Sequence, residues 1–235
     1  MRAGIIAAGL GERLVAAGIR TPKALVEVGG VPLVARAIAT ATAAGASSIA
    51  CIVNAETDRV RRFLESTSFG VPIAIVQRTT ANSAESFLAL RPLLEAAPFL
   101  LLTVDAVLQP GAVTGLVEHA RTRREATGVL GVTTTVDDEK PLWAEVDAGG
   151  RILTLGEPER ARHVTAGVYF FTPLVYALAD VVAAARPWTA FRMLLTSLLA
   201  HGHALYGYDV GPCIDVDRPE DITAAERMLG LAAPT

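Results

Sequence analysis

The sequence predicts a doubly wound, three-layer α/β/α fold with a mixed, mostly parallel sheet. In its first half, strand-like apolar runs alternate with segments of helical periodicity, which is typical of βαβ units. Hydrophobic residues make up 51% of the 235 residues, enough for one substantial core. In the second half, strand-like runs follow one another around a turn at Gly149 and Gly150. This change of pattern predicts a small antiparallel lobe beside the main sheet.

The first-half elements follow from runs of apolar residues and from the positions of helix breakers. Strands are predicted at Gly4–Ala7, Ser48–Val53, Val71–Val76 and Phe99–Val104, and helices at Val34–Ala44, Thr57–Glu65, Ser83–Leu94 and from Pro110 to about Arg124. Each of the first three helices would cross between parallel strands. Asp105 directly follows the fourth strand and is therefore expected at its carboxyl end.

The second-half elements are assigned in the same way. Strands are predicted at Gly128–Thr134, Leu142–Asp147, Ile152–Leu155, Gly167–Phe171 and Ala204–Tyr208, and helices at Leu174–Ala185, Thr189–Leu199 and Pro219–Leu229. Asp217 is a candidate N-cap of the last helix. No linker rich in Pro, Gly or Ser interrupts the chain, so we expect one domain over residues 1–235.

Charge and composition exclude several classes of partner. The formal charge is −3 and lysines and arginines are not clustered, so we expect neither nucleic acid nor a membrane surface as partner. No apolar run reaches the roughly 18 residues that span a bilayer. Cys51 and Cys213 form no Cys-x-x-Cys pair, and neither has an argument for catalysis. These features favour a cytoplasmic protein that binds small molecules, and they say nothing of its oligomeric state.

The first strand runs into a short segment rich in small residues. Gly9 and Gly11 are expected to adopt positive φ and to bring backbone N–H groups close to phosphate oxygens. Arg13 and Lys23 would add positive charge. Leu14 stands where a dinucleotide-binding fingerprint has its third glycine, and no Gly-Lys-Ser/Thr triplet follows. The pattern therefore predicts a triphosphate-binding turn of another kind.

The segment Ala7-Ala8-Gly9-Leu10-Gly11-Glu12-Arg13, with Thr21-Pro22-Lys23, resembles the signature of nucleotidyltransferases that activate sugar phosphates and related acceptors. Glu12 replaces the usual Ser or Thr. The resemblance implies a Rossmann-like, GT-A-like fold. Its nucleotide-binding part would cover about 1–125 and 205–235, and its acceptor lobe about 126–204.

The same resemblance implies roles for the residues of this segment. An NTP and a phosphorylated small acceptor would be the partners. Arg13 and Lys23 would be catalytic. The backbone at Ala7, Ala8, Gly9 and Gly11 would contact the nucleotide.

Two aspartates are candidate ligands of Mg²⁺. Asp105 alone is a strand-end carboxylate that could equally serve as a hydrogen-bonding group, but such sheet edges commonly bind ligands. Family members carry an Asp after the fourth strand and another before a terminal Pro-Glu-Asp helix, positions matched by Asp105 and Asp215. Asp215 is preferred to Asp217 because it follows an apolar residue at a strand end. A Mg²⁺ ion held by two carboxylates retains waters and substrate phosphates as its other ligands.

The segment from Gln77 to Ser83 resembles the family segment that contacts the nucleobase, which makes Gln77, Asn82 and Ser83 the candidate contacts. Asn82 replaces a usual Gly, so the identity of the nucleobase stays open. Asn82 and Ser83 could also cap the helix that follows.

The family's acceptor lobe normally contains a Glu-Lys-Pro triplet, where this chain has Glu157-Pro158-Glu159. Glu157 is therefore the candidate acceptor-binding residue. Lys140, Arg160 and Arg162 are candidates for holding the acceptor phosphate, although each could be an ordinary surface cation.

His201 and His203 are separated by one residue, which on a strand would place them on one face. The sequence offers no third ligand beside them, so we interpret the two histidines as a polar strand edge rather than as a pair of metal ligands.

These residues together favour transfer of a nucleoside monophosphate from an NTP to the acceptor phosphate, with release of pyrophosphate. Two alternatives stay open at this point. One is a noncatalytic, NTP-binding regulatory module. The other is a molybdenum-cofactor nucleotidyltransferase, although that group normally has Asp-Lys where this chain has Pro22-Lys23.

Overall fold

A nine-stranded mixed sheet forms the centre of the computed structural model, which describes residues 1–136, 140–185 and 189–231. In chain order the strands are β1 Arg2–Ala7, β2 Glu27–Val28, β3 Val31–Pro32, β4 Ser48–Val53, β5 Ile73–Gln77, β6 Phe99–Thr103, β7 Ala106–Leu108, β8 Gly128–Thr133, β9 Trp143–Val146, β10 Ile152–Leu155, β11 His163–Phe171, β12 Leu205–Asp209 and β13 Cys213–Asp215. The helices are α1 Glu12–Ala16, α2 Leu33–Ala43, α3 Asp58–Ser66, α4 Ser83–Ala89, α5 Arg91–Leu94, α6 Ala112–Thr122, α7 Leu174–Ala185, α8 Phe191–Ala200 and α9 Pro219–Met228, with a 3₁₀ turn at Lys23–Leu25.

The sheet has a parallel half and a mixed half. Strands β5, β4, β1 and β6 are neighbours in that order and all run parallel. Strand β11 then pairs antiparallel with β6, β8 and β9, and β12 runs parallel to β8. The predicted fold class is confirmed. The antiparallel strands predicted in the second half extend the same sheet, since β11 hydrogen-bonds directly to β6.

Helices cover both faces of the sheet. On one face α2, α3, α6 and α9 bury residues such as Ile38, Leu116 and Ala225 against it. On the other face α4, α5, α7 and α8 enclose an aromatic cluster. There Phe87 and Tyr176 stack with ring centroids 4.4 Å apart. Because α4, α7 and α8 share this cluster, their positions over the sheet are mutually fixed.

Three local predictions were wrong. The helix predicted over Ser83–Leu94 is two helices, because Pro92 has no N–H to donate and lies in the first turn of α5. The N-cap of α9 is Arg218 rather than Asp217. The carboxylate of Asp221 accepts hydrogen bonds from the N–H groups of both residues.

The third error concerns the predicted strand edge at His201 and His203. His201 is the C-cap of α8, and its Nδ1 lies 2.8 Å from the carbonyl oxygen of Ser197. His203 lies in the connection that follows, before β12 begins. The two histidines therefore do not share a strand face. Separately, no described helix is both long and apolar enough to cross a membrane.

Candidate active site

The glycine turn after β1 is built around the left-handed conformation of Gly11. Gly11 has φ 65° and is the N-cap of α1. A Cβ on Gly11 would lie 2.8 Å from the Cβ of Lys23, so the absence of a side chain lets the Lys23 backbone approach. Gly9 differs from the prediction, since its φ is not positive and a Cβ would meet nothing within 4 Å. Of these two positions, Gly11 is therefore the one that sterically requires a glycine.

Lys23 lies beneath this turn with only 7% of its surface exposed. Its Nζ donates to Asp105 Oδ2 at 2.6 Å and also to Asp217 Oδ1. Arg13 Nη1 donates to Asp217 Oδ2 at 2.8 Å. These four charged residues come from α1, the 3₁₀ turn, the end of β6 and the segment after β13, and we call them the ionic cluster. They bring together three regions that are far apart in the sequence, around residues 13–23, 105 and 217.

The cluster fixes the protonation states of its members. Burial alone would lower the pKa of Lys23, but the carboxylates of Asp105 and Asp217 outweigh it and raise that pKa above its usual range. Burial would raise the pKa of Asp105, but the Lys23 ammonium holds it below its usual value of 3.8. At neutral pH the site therefore contains an ammonium group beside an ionised carboxylate.

Asp215 ends β13, directly opposite Ala106 in the β13–β7 pair. The N–H of Val216 donates to the carbonyl oxygen of Asp105 at 3.1 Å, which ties the two acidic segments together. Asp105, Asp215 and Asp217 all line one cavity of about 280 Å³. The predicted metal ligands are thus brought to the same space, together with the aspartate that was predicted to cap a helix.

The donors at this cavity suit Mg²⁺, which prefers hard carboxylate oxygens and often takes only one or two of them from a protein. In the described ranges, no group of three or more His, Cys, Asp or Glu side chains is arranged to hold a metal ion. A site that uses Asp105 and Asp215 would therefore depend on substrate phosphates and waters for its remaining ligands. The residues fit such an ion on these terms.

Of the three predicted nucleobase contacts, only Ser83 lines this cavity. Gln77 Nε2 donates to Asp58 Oδ1 at 2.9 Å on the surface. Asn82 is the N-cap of α4, and its Oδ1 accepts from the N–H groups of Ala84 and Glu85 at 2.9 and 3.1 Å. The capping interpretation of Asn82 is therefore confirmed, while its contact with a base stays a prediction.

The charged residues predicted for the acceptor lobe do not reach the cavity. Glu157, Lys140, Arg160 and Arg162 are all exposed, and none of them lies among the described residues that line it. Glu157 and the two arginines belong to the connection between β10 and β11.

Asn54 is a buried polar residue that the sequence analysis missed. It directly follows β4 and is only 4% exposed. Its Nδ2 donates to the carbonyl oxygen of Ala8 at 3.2 Å, and its Oδ1 accepts from Thr79 Oγ1 at 3.1 Å. Asn54 thereby connects the loops that follow β1, β4 and β5. The sequence does indicate Asn54, because a polar residue directly after a buried strand is expected at the ligand-binding edge of the sheet, as for Asp105.

Ala7 and Gly9, two of the predicted nucleotide contacts, line a second cavity of about 240 Å³. Arg20 and Arg59 also line it. Among the described residues, this cavity shares no lining residue with the one that the aspartates line.

These features define an α/β protein that gathers cations and carboxylates at the carboxyl ends of parallel strands, where open sheets bind their ligands. The sequence profile described as Nucleotidyl transferase matches residues 2–226, and the chain belongs to that family.

Two curated relatives illustrate the range of the family. The chain is 32% identical over 232 residues to the 2-C-methyl-D-erythritol 4-phosphate cytidylyltransferase of Nocardia farcinica, covering 95% of this chain and 91% of that protein. It is 26% identical over 208 residues to the glucose-1-phosphate thymidylyltransferase of Streptomyces antibioticus. That match covers 86% of this chain but spans only 57% of the relative's length.

Solved structures show the same fold. The inositol-1-phosphate CTP transferase of T. maritima superposes with a TM-score of 0.79 at 22% identity, covering 97% of both chains. A UDP-glucose pyrophosphorylase complexed with UDP-glucose gives a TM-score of 0.78 at 17% identity, again covering 97% of both chains.

The first prediction concerns the close approach at Gly11. We expect Gly11→Ala to lower the free energy of unfolding by about 1–2 kcal/mol, because the left-handed conformation is costly for a residue with a Cβ. Urea denaturation measures the change. Gly9→Ala is the matched control, since its Cβ would meet no atom within 4 Å. An equal loss in both variants would contradict this explanation.

The second prediction concerns the pH dependence of stability. We expect Lys23→Met to lower the free energy of unfolding at pH 7 by roughly 2 kcal/mol, because it removes the cation that lies between the carboxylates of Asp105 and Asp217. The lowered pKa of Asp105 stabilises the wild type above pH 3.8, and this contribution is lost as the pH falls further. The difference between the two proteins should therefore shrink at pH 3. Urea denaturation at both pH values checks this, and a constant difference would rule it out.

Proposed function

We propose that this protein transfers a nucleoside monophosphate from an NTP to a sugar or polyol phosphate and releases pyrophosphate. The observation that carries the proposal is the ionic cluster beneath the glycine turn, which adjoins a cavity lined by Asp105 and Asp215. Family membership supports the reaction type. The names of the relatives support the acceptor class, since they cite erythritol, glucose and inositol phosphates.

The chemistry requires little of the protein beyond position and charge. The acceptor phosphate is ionised at neutral pH and is itself the nucleophile, so no general base is needed. Catalysis then consists of aligning it with the α-phosphorus and offsetting the negative charge that gathers there. Lys23 would stabilise the α-phosphoryl group and Arg13 the departing pyrophosphate. When bound at Asp105 and Asp215, Mg²⁺ would supply further positive charge to the phosphate oxygens.

Lys23 and Arg13 both contact the carboxylate of Asp217. Arrival of a triphosphate would therefore exchange one anion for another at two cations that are already in place. Such preorganised charge is the main source of electrostatic catalysis in phosphoryl transfer.

The proposal is tested by measuring pyrophosphate release from purified protein with Mg²⁺. The assay pairs CTP, UTP, GTP, ATP or dTTP with glucose 1-phosphate, inositol 1-phosphate, 2-C-methylerythritol 4-phosphate or choline phosphate. Release that requires one NTP and one acceptor together is the expected result. NTP binding without release under any pairing would instead favour a noncatalytic, nucleotide-binding module.

The third prediction distinguishes the roles of Asp215, which ends β13, and Asp217, which follows that strand. We expect Asp215→Asn to raise the Mg²⁺ concentration for half-maximal activity about 10-fold or more, because it removes a proposed ligand. Asp217→Asn should lower kcat and leave that concentration unchanged, because Asp217 contacts Lys23 and Arg13. Mg²⁺ titrations of initial rates measure both effects.

Glu220→Gln serves as the control for these titrations, since Glu220 is an exposed acid in the first turn of α9. A shifted Mg²⁺ dependence in Asp217→Asn, with none in Asp215→Asn, would reverse the assignment of the second ligand.

A further inference from the structure

The cavity that contains the aspartates has a second, differently charged wall. Asp105, Asp215 and Asp217 line one part of it. Of the described residues that line the cavity, Arg192 alone carries a positive charge. An anionic substrate that enters beside three carboxylates needs a compensating cation, and among the described residues that line the cavity Arg192 provides it.

Arg192 is held in place by its immediate neighbour. Phe191 is 5% exposed and packs in the aromatic cluster, with its ring centroid 5.0 Å from that of Phe87. The N–H of Phe191 donates to Ser83 Oγ at 3.0 Å. The backbone at the start of α8 is thus fixed, while the Arg192 side chain is exposed and makes no ion pair with any described carboxylate.

Tyr169 connects the two walls. It lies on β11, is 6% exposed, and is within electrostatic reach of Asp105, Asp215 and Arg192. The Arg192 side chain and the three aspartates therefore line the same cavity, in which Arg192 offers a cation to an acceptor phosphate.

Serine and threonine residues contribute much of the remaining polar lining. They belong to Ser83, Thr103, Thr133, Thr135 and Thr165. Hydroxyls both donate and accept hydrogen bonds, which suits them to the hydroxyls of a sugar or polyol. A quaternary ammonium group would instead need exposed aromatic faces. Tyr169 and Phe191 are buried and packed edge to face against each other, and Arg192 would repel such a cation.

We propose that Arg192 binds the phosphate of the acceptor, and that the threonine-lined wall beside it selects a polyhydroxylated acceptor over choline phosphate. This inference rests on the proposed function for the identity of the site as an acceptor site. It assigns the role to a helix residue inside the cavity rather than to the exposed cations Lys140, Arg160 and Arg162.

Steady-state kinetics with the acceptor that gives pyrophosphate release tests the role of Arg192. We expect Arg192→Gln to raise the acceptor KM at least about 10-fold, as loss of a charged hydrogen bond does. The NTP KM should stay within about 2-fold, and Arg192→Lys should recover part of the affinity. Arg124→Gln, an exposed arginine just after α6, is the matched control.

Calorimetric titration of the same variants with the four acceptor phosphates, without NTP, gives a readout independent of turnover. We expect the wild type to bind one of the three polyhydroxylated phosphates more tightly than choline phosphate, and Arg192→Gln to weaken that binding at least about 10-fold. Urea denaturation of each variant verifies folding.

The two proposals fail separately. The role of Arg192 would be overturned, and the proposed function would stand, if pyrophosphate is released but the acceptor KM does not change in Arg192→Gln. The same conclusion would follow if the acceptor KM rises in Arg160→Gln and not in Arg192→Gln. A rise in the NTP KM alone would also overturn it, since it would place Arg192 on the triphosphate. Acceptor binding through Arg192 without any release would overturn the proposed reaction. Absence of both binding and release would overturn both.

Discussion

The burial of one ammonium group constrains much of this site. A lysine that is 7% exposed is costly unless carboxylates surround it, and Lys23 obtains them from the end of β6 and from the segment after β13. The antiparallel pairing of β13 with β7 brings those two segments together. The glycine turn also depends on the position of Lys23, since Gly11 packs directly on this side chain. Local backbone geometry and long-range topology are thus coupled through a single charge.

The cavity depends on an irregularity in β11. The register of the β11–β8 pair shifts between Thr165 and Tyr169, and Gly167 within this stretch has φ 66°. A Cβ on Gly167 would lie 2.4 Å from Thr103 Oγ1, so the strand could not approach β6 with a larger residue there. Thr165 and Tyr169, at the two ends of the shifted stretch, both line the cavity. Bulges commonly redirect side chains beside functional sites in this way.

Most of the fold could be predicted from the sequence, because strands such as β4 and β10 are apolar runs with clear ends. The error at Pro92 came from reading one apolar helix pattern across a residue that cannot donate a hydrogen bond. The site was predictable where a charged residue directly follows a strand, as for Asp105. Asp217 was misjudged because its ion pair with Lys23 joins positions 194 residues apart, which no local pattern reveals. Arg192 was missed for the same reason, since only the packing of α8 brings it to the cavity.

The contacts of Asp217 bear on how a catalytic cycle of the proposed kind would end. A carboxylate attached to the protein is present at a high effective concentration, so it competes for Arg13 and Lys23 with any phosphate group bound there. Such competition weakens the hold of the two cations on the departing pyrophosphate as well as on the incoming triphosphate. Asp217 would then act as an internal competitor that exchanges some binding affinity for faster product escape.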